Sequence, residues 1–242
     1  MHGQLIGVGV GAGARGLVPV AAVEALRTAE VIYAPRARGV EQSVARQCLA
    51  GLGLDHAPFI DVEFLMDNDR RQLGNHYQTL AAEIATRIRA GQKVGYLTIG
   101  DSLTYSTYGY LLAALRALDP EIDIVTFAGV TSFAAAAAAL EWPLGEGKER
   151  VLLLPCPDDR AALQADIETH DCVVLLKIGH RLPMVLDVLA TMGISEHCGF
   201  AHRVGLDGEA LHRDICGLDA EGLSGYLSTL LIRRHPREAR GA

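Results

Sequence analysis

The feature that most constrains the fold of this chain is a rhythm. Short apolar runs, several of them closed by glycine, alternate with longer stretches whose apolar residues recur every three to four positions. The runs at 4–10, 31–34, 57–62, 93–99 and 122–127 have the length and content of buried strands. Between them, 18–29, 40–49, 72–90 and 108–118 carry helical spacing, with Gly91 and Pro120 standing where helices stop. Two parallel strands can be joined only by a long crossover, usually a helix. The rhythm therefore predicts βαβ units, right-handed crossovers and a five-stranded parallel sheet that closes near residue 130. Pro35 is expected to stop the second strand, because proline donates no backbone hydrogen bond.

Beyond residue 130 the order becomes less regular. A helix is expected over 131–140, strands near 151–154 and 173–177, a helix over 183–192, a strand around 200–204 and a last apolar run over 226–232. This half is expected to hold a mixed sheet. The reading is an α/β protein of two domains, 1–130 and 131–242, with a charged tail after Arg233 that frays. No internal repeat is visible.

Composition narrows the function classes. Half of the 242 residues are apolar and 21% are charged, as in a globular chain. The net charge of −7 argues against non-specific nucleic-acid binding, which depends on lysine and arginine neutralising phosphates. The longest apolar run, 133–140, is far short of the roughly 20 residues that span a membrane. The five cysteines, Cys48, Cys156, Cys172, Cys198 and Cys216, are scattered and form no CxxC, which suits free thiols in a reducing compartment. No leader pattern opens the chain, so the expectation is a cytoplasmic protein with neither a membrane nor a nucleic-acid partner.

Three loops carry candidate chemistry. Gly7, Gly9, Gly11, Gly13 and Gly16 follow the first strand, where glycine permits tight turns and close approach of a ligand to backbone. The letters of Gly11–Gly16 fit G-x-G-x-x-G, which alone is a weak signal. A nicotinamide site would want an acid at the end of strand two, where this chain has Tyr33-Ala34-Pro35-Arg36; an NADP site on Arg36 and Arg38 remains open. The second loop is Thr98-Ile99-Gly100-Asp101-Ser102-Leu103-Thr104-Tyr105-Ser106-Thr107, placed where open parallel sheets bind ligands; a helix cap would use the same residues. The third is Ala128-Gly129-Val130-Thr131-Ser132-Phe133, in which Thr131 or Ser132 suits a helix N-cap. Lys177 closes an apolar strand and is expected to reach solvent. His197, Cys198, His202, His212 and Cys216 fit no zinc spacing, so no metal site is expected. The basic pairs Arg36/Arg38 and Arg70/Arg71 are surface charges or contacts for an anion.

Together these loops resemble the tetrapyrrole methylases, the two-domain S-adenosylmethionine enzymes of corrin and siroheme synthesis, and within them the branch that methylates C20 of precorrin-2 or cobalt-factor II. The resemblance runs through Gly7-Val8-Gly9, Gly100-Asp101, Leu103-Thr104-Tyr105-Ser106-Thr107 and Gly129-Val130-Thr131-Ser132-Phe133. It continues in Trp142-Pro143-Leu144-Gly145-Glu146-Gly147-Lys148-Glu149-Arg150, Val173-Val174-Leu175-Leu176-Lys177 and Tyr226-Leu227-Ser228. It implies two αβα domains with cofactor and substrate in the crevice between them, a homodimer, and a tetrapyrrole substrate. S-adenosylmethionine would be the cofactor and S-adenosylhomocysteine its product. The implied cofactor residues are Val10, Ile99, Gly100, Asp101, Thr104, Tyr105, Thr131, Ser132, Leu176, Lys177, Val204 and Tyr226. The carbon that gains the methyl must lose a proton; Asp101 and Tyr105 are near in sequence, but no residue is assigned as base. Any cobalt would arrive inside the substrate.

The chain departs from the family at several points. Gly9-Val10-Gly11-Ala12-Gly13 stands for the usual Gly-Pro-Gly-Asp-Pro, Ser102 for the proline of Gly-Asp-Pro, and Ala128 for the proline of Pro-Gly. Phe64-Leu65-Met66-Asp67-Asn68-Asp69 stands for Phe-Pro-Met-Thr-x-Asp. Two other readings remain at this point, an NADP-dependent oxidoreductase on the first glycine loop and a non-catalytic tetrapyrrole-binding protein.

Overall fold

The computed structural model describes residues 3–13, 16–37, 39, 42–54, 58–64, 70–219 and 223–236. The chain divides into two compact units, Met1–Thr131 and Ser132–Ala242.

The first unit holds β1 (Gln4–Gly9), α1 (Val20–Leu26), β2 (Val31–Ala37), α2 (Val44–Gln47), β3 (Phe59–Phe64), α3 (Arg70–Arg89), β4 (Lys93–Thr98), α4 (Tyr108–Leu118) and β5 (Ile124–Phe127). Its sheet runs β3-β2-β4-β1-β5 with every pairing parallel. Successive residues of each strand point to opposite faces, and both faces are buried. Leu5, Tyr33 and Tyr96 pack under α3 and α4 with Tyr77, Ile84 and Leu111. Ile6, Ile32 and Leu97 pack under α1 and α2 with Leu26 and Cys48. Burying each such side chain stabilises the fold by about 1.5–3 kcal/mol, so the apolar runs of a two-faced sheet leave no polar alternation to read. Gly91 ends α3 in a left-handed turn, φ 88°, with Gly91 N–H donating to Ile88 and Gln92 N–H to Arg87.

The second unit holds α5 (Ser132–Ala139), β6 (Val151–Pro155), α6 (Arg160–Thr169), β7 (Cys172–Leu176), α7 (Leu182–Thr191), β8 (Cys198–His202), β9 (Ala210–His212) and β10 (Ser228–Arg233). Its sheet runs β6-β7-β10-β8-β9; only β6 and β7 are parallel. Val173, Leu175, Phe200, Leu230 and Ile232 face α6 and α7, while Val174, Ala201 and Leu231 face α5. The two-layered helix cover and the parallel and mixed sheets are the α/β architecture expected from the sequence.

Some details differ from expectation. Pro35 does not end β2, which continues to Ala37 and pairs Pro35 with Val62 of β3. The reason is positional: β2 pairs with β4 only through Val31, Ile32 and Tyr33. Beyond Tyr33 that side of the strand has no partner strand among the described residues, so a missing N–H breaks no ladder bond there. Helix α6 was not expected. It buries only Leu163 and Ile167, two positions one turn apart, and its start is marked by Asp159, whose carboxylate accepts from Ala162 N–H at 2.9 Å. β9 is a three-residue edge strand, too short to leave a pattern. Residues 38, 40, 41, 57 and 65–69, which bear on Arg38, the start of the second helix, the third strand and the altered Phe64–Asp69 stretch, lie outside the described residues, as does the tail after residue 236.

Candidate active site

In the first unit the loops after β1, β4 and β5 meet through their backbones. A Cβ at Gly129 would lie 2.2 Å from Gly100 O and 2.5 Å from Gly9 O, and one at Gly9 would lie 2.6 Å from Gly129 N. Only glycine allows three chains to close this tightly. Gly11 and Gly100 also exchange both backbone hydrogen bonds, Gly11 N–H donating at 3.1 Å and Gly100 N–H at 2.7 Å. The meeting point lies at the carboxyl ends of parallel strands, the place where such sheets bind ligands.

Asp101 organises the loop that follows. One carboxylate oxygen accepts from Leu103 N–H at 3.0 Å, Thr104 N–H at 2.8 Å and Thr104 Oγ1 at 2.7 Å. The other accepts from Gly129 N–H at 3.1 Å, tying the β4 loop to the β5 loop. Burial pushes the Asp101 carboxyl up, but the donors from Thr104, Leu103 and Gly129 outweigh it and hold its pKa below the ordinary value. Asp101 does not cap α4; there Ser106 Oγ accepts from Tyr108 N–H. Two of the departures from the family's prolines explain themselves. Ser102 is buried and donates its hydroxyl to Phe127 O at 2.6 Å. Val10 donates its N–H to Thr98 O at 2.9 Å, a bond proline could not make. Hydrogen bonds thus fix loops where a ring would fix φ.

The second unit's strand ends hold three left-handed side chains besides a close glycine contact. Lys177, Arg203 and Leu227 all sit in the left-handed region, at φ 52°, 50° and 54°, as does Tyr105 in the first unit at 52°. Each such non-glycine residue costs about 1–2 kcal/mol, and strain of this kind concentrates at functional sites. The fifth, Glu141, has a local explanation: it closes α5, with Trp142 N–H donating to Ala137 O. Gly179 and Gly225 form an isolated bridge, Gly179 N–H donating to Gly225 O at 3.1 Å, and Arg203 N–H donates to Leu227 O at 2.9 Å.

The residues expected from the sequence stand as follows. Val10 and Leu176 are buried, Leu176 in the core beside Ala136 and Leu140. Ile99, Gly100, Asp101, Thr104 and Tyr105 share the β4 loop, Thr131 precedes α5, and Ser132 opens it, its Oγ accepting from Thr229 Oγ1 at 3.3 Å. Lys177 is exposed just past β7; Val204 is half-buried past β8; Tyr226 is exposed just ahead of β10, its N–H donating to Ser224 Oγ at 3.1 Å. Among the described residues nine large hydrophobic side chains are exposed, and four of them, Ile99, Leu103, Tyr105 and Tyr226, lie in these loops. Three of the four gather in the β4 loop, which leaves apolar surface for a ligand at that strand end. Sequence reading missed Gly179, Arg203, Gly225 and Leu227. The two glycines flank Lys177 and Tyr226 and were available as a signal; a left-handed arginine or leucine leaves none.

Other candidates fall away. The G-x-G-x-x-G letters do not open a helix: α1 starts only at Val20 behind Pro19, and Ala14 and Arg15 lie outside the described residues. Among the described residues no three His, Cys, Asp or Glu side chains gather as a metal site needs. Arg36 lies 3.8 Å from Glu63 at the end of β2, and the side chains of Arg70 and Arg71 lie outside what is described. No described helix is long and apolar enough to cross a membrane.

Residues 4–215 match the family model described as tetrapyrrole (corrin/porphyrin) methylases. The chain is 28% identical over 235 residues to the cobalt-precorrin-2 C(20)-methyltransferase of Salmonella typhimurium, covering 97% of this chain and 98% of the relative. It is 29% identical to a probable cobalt-precorrin-2 C(20)-methyltransferase of Methanocaldococcus jannaschii, covering 97% of each. Among solved structures, a cobalt precorrin-4 methyltransferase superposes with a TM-score of 0.71 at 20% identity, covering 96% of both chains. A uroporphyrin-III-C-methyltransferase from Thermus thermophilus superposes at 0.63 with 24% identity, covering 97% of this chain and 93% of that one. At these identities the superpositions speak for the fold.

Proposed function

The chain belongs to the tetrapyrrole (corrin/porphyrin) methylase family, and on that premise we propose that it methylates the C20 meso carbon of precorrin-2 or cobalt-factor II in corrin synthesis, as a cytoplasmic homodimer. The observation that carries the reading is the full-length similarity to relatives named for that reaction, 97% of this chain in two of them. S-adenosylmethionine, when bound, supplies a sulfonium methyl that is already electrophilic.

What this chain does is bind and orient. Gly100, Asp101, Thr104 and Tyr105, with Val10, Ile99 and Thr131, are the proposed first-unit contacts, and Ser132, Leu176, Lys177, Val204 and Tyr226 the second-unit ones. The residues present suit the ligand. The glycine junction brings unencumbered backbone to the strand ends, exposed Ile99, Tyr105 and Tyr226 offer apolar and aromatic surface for a purine, and Thr131 and Ser132 offer hydroxyls for an amino acid's polar end. Asp101 keeps the β4 loop in shape while ionised. Holding carbon and methyl in line near 3–3.5 Å supplies roughly 7–11 kcal/mol of the barrier. An NADP-dependent oxidoreductase is not favoured, because α1, the helix its fingerprint would have to open, starts only at Val20, behind Pro19. A purely binding role is not favoured either, because the loops that lost prolines are fixed by Ser102 and Val10 instead.

The test is purified protein with S-adenosylmethionine and each tetrapyrrole, read by mass spectrometry and by the position of the new methyl in NMR. One added methyl at C20 is expected. A methyl on a ring carbon, or none with S-adenosylhomocysteine bound, overturns the assignment.

A further inference from the structure

We propose that His202 is a positioning residue that sets Tyr226 for its ligand through the Ser228 hydroxyl and the Ser224 backbone carbonyl. His202 ends β8, and Ser228, its cross-strand partner, begins β10. Ser228 Oγ donates to Ser224 O at 2.8 Å, which uses its single hydroxyl hydrogen. The contact between His202 Nδ1 and Ser228 Oγ, 2.9 Å, therefore has the imidazole as donor, which fixes the tautomer with the proton on Nδ1. The relay spans 224–228, the five residues whose middle member is Tyr226.

The same five residues are held at two further points. Gly225 O accepts from Gly179 N–H, and Leu227 O accepts from Arg203 N–H at 2.9 Å. Leu227 is left-handed at φ 54° and Arg203 at 50°. Those conformations are costly, and they persist only where surroundings over-determine them. The histidine relay is a side-chain part of that determination, from the residue directly before Arg203. Its effect is to present an exposed Tyr226 ring on a backbone with little freedom, which spares a flat ligand the cost of ordering the loop. A histidine at a strand end is not needed for packing alone: Phe200 and Cys198 supply the core contacts of β8 on the same face.

This inference rests on the proposal that Tyr226 holds the cofactor, and the experiment separates the two. S-adenosylhomocysteine affinity is measured by calorimetry for the wild type, His202→Leu, His202→Asn, Ser228→Ala, Tyr226→Ala and the double variant His202→Leu/Tyr226→Ala, with thermal unfolding recorded for each. His202→Leu and Ser228→Ala are expected to weaken binding about five- to tenfold, the worth of a neutral hydrogen bond. His202→Asn, whose amide N–H reaches the Nδ1 position, is expected to stay within about twofold of wild type. In the Tyr226→Ala background, His202→Leu is expected to cost nothing more. Should His202→Leu not fold, Ser228→Ala carries the same expectation from the relay's other end. Losses that multiply in the double variant, or wild-type binding by both His202→Leu and Ser228→Ala, overturn the positioning role. Wild-type binding by Tyr226→Ala overturns the cofactor assignment of Tyr226, and the positioning role with it.

Discussion

The two units carry their candidate loops at strand ends, and both use glycine contacts that admit no Cβ, Gly9–Gly129 in the first and Gly179–Gly225 in the second. They differ in how many side chains those ends force left-handed, one in the first and three in the second. In the first unit, glycines let backbones touch: Gly9, Gly100 and Gly129 meet where no Cβ fits. In the second, residues with full side chains are forced left-handed: Lys177, Arg203 and Leu227. Glycine costs entropy in the unfolded chain, and a left-handed side chain stores strain in the folded one. An added Cβ should therefore be intolerable at either glycine contact, whereas the strained backbone at the three left-handed positions of the second unit should be relieved by glycine.

The sharpest way to break this contrast is Gly129→Ala. Its Cβ would sit 2.2 Å from a carbonyl oxygen of Gly100, a backbone atom that cannot swing aside. A loss of about 3 kcal/mol or more is expected from so severe an overpacking, read as a lower urea midpoint. A midpoint equal to wild type would show that the three loops can separate freely and that the glycine junction is not a structural requirement.

Asp101→Ala comes next. It deletes four accepted hydrogen bonds at once. Because the donors are three loop N–H groups and the Thr104 hydroxyl, able to find water, the expected cost is that of one or two bonds, about 1–3 kcal/mol of stability, together with weaker S-adenosylhomocysteine binding. Unchanged binding in calorimetry would remove the β4 loop from the cofactor site.

Legibility from sequence follows the same divide. The first unit's parallel sheet could be read because its strands are buried on both faces and two of its helices, α3 and α4, are long; α4 falls at 108–118 as the spacing predicts. Its glycine loops were visible as letters because glycine is the residue such junctions demand. Pro35 misled because whether a strand tolerates proline depends on which side is paired, and pairing is a tertiary fact. In the second unit, α6 hid behind charge, β9 was too short, and the left-handed arginine and leucine have no signature. The Trp142–Arg150 stretch, read as a mark of the family, proves to be a clamp within the second unit. Arg233, almost fully buried, donates to Glu149, Pro143 O and Leu144 O and lies 5.0 Å over the Trp142 ring. A motif can thus be specific because the fold needs it.

Lys177→Gly sharpens the other half of the comparison. Glycine adopts φ 52° without penalty, which recovers roughly 1–2 kcal/mol of strain. It also loosens the unfolded chain, at a cost of about 0.5–1 kcal/mol. From the backbone alone the net, read in the thermal midpoint, is between zero and about 1.5 kcal/mol of added stability, from which the contacts of the Lys177 side chain subtract, and cofactor affinity is expected to fall. A clear destabilisation would mean that the contacts of the Lys177 side chain outweigh the strain its backbone stores.

The smallest effect is a difference in acid response between the two edges. His202 has its pKa lowered from the ordinary 6.5, first by burial, then by the Arg203 charge, with the Ser224 carbonyl opposing. An unfolded chain then takes up this proton near 6.5 and the folded chain only at lower pH. Between those values the unfolded state binds more protons, so stability rises with pH there, is complete above 6.5 and is lost as pH falls through the folded value. Asp101, lowered from 3.8, follows the same sign in a more acid window: its contribution is complete above 3.8 and is lost as pH falls through its folded value. Acid should loosen the second unit's edge before the first's. Urea midpoints of wild type and His202→Asn between pH 7.5 and 5 provide the check. Asparagine keeps the donor to Ser228 but takes up no proton, so the variant's midpoint should fall less steeply with acid than wild type's, the two curves parting below about 6.5. Curves that stay parallel to pH 5 would show that the charge on His202 has no bearing on how the second unit holds together.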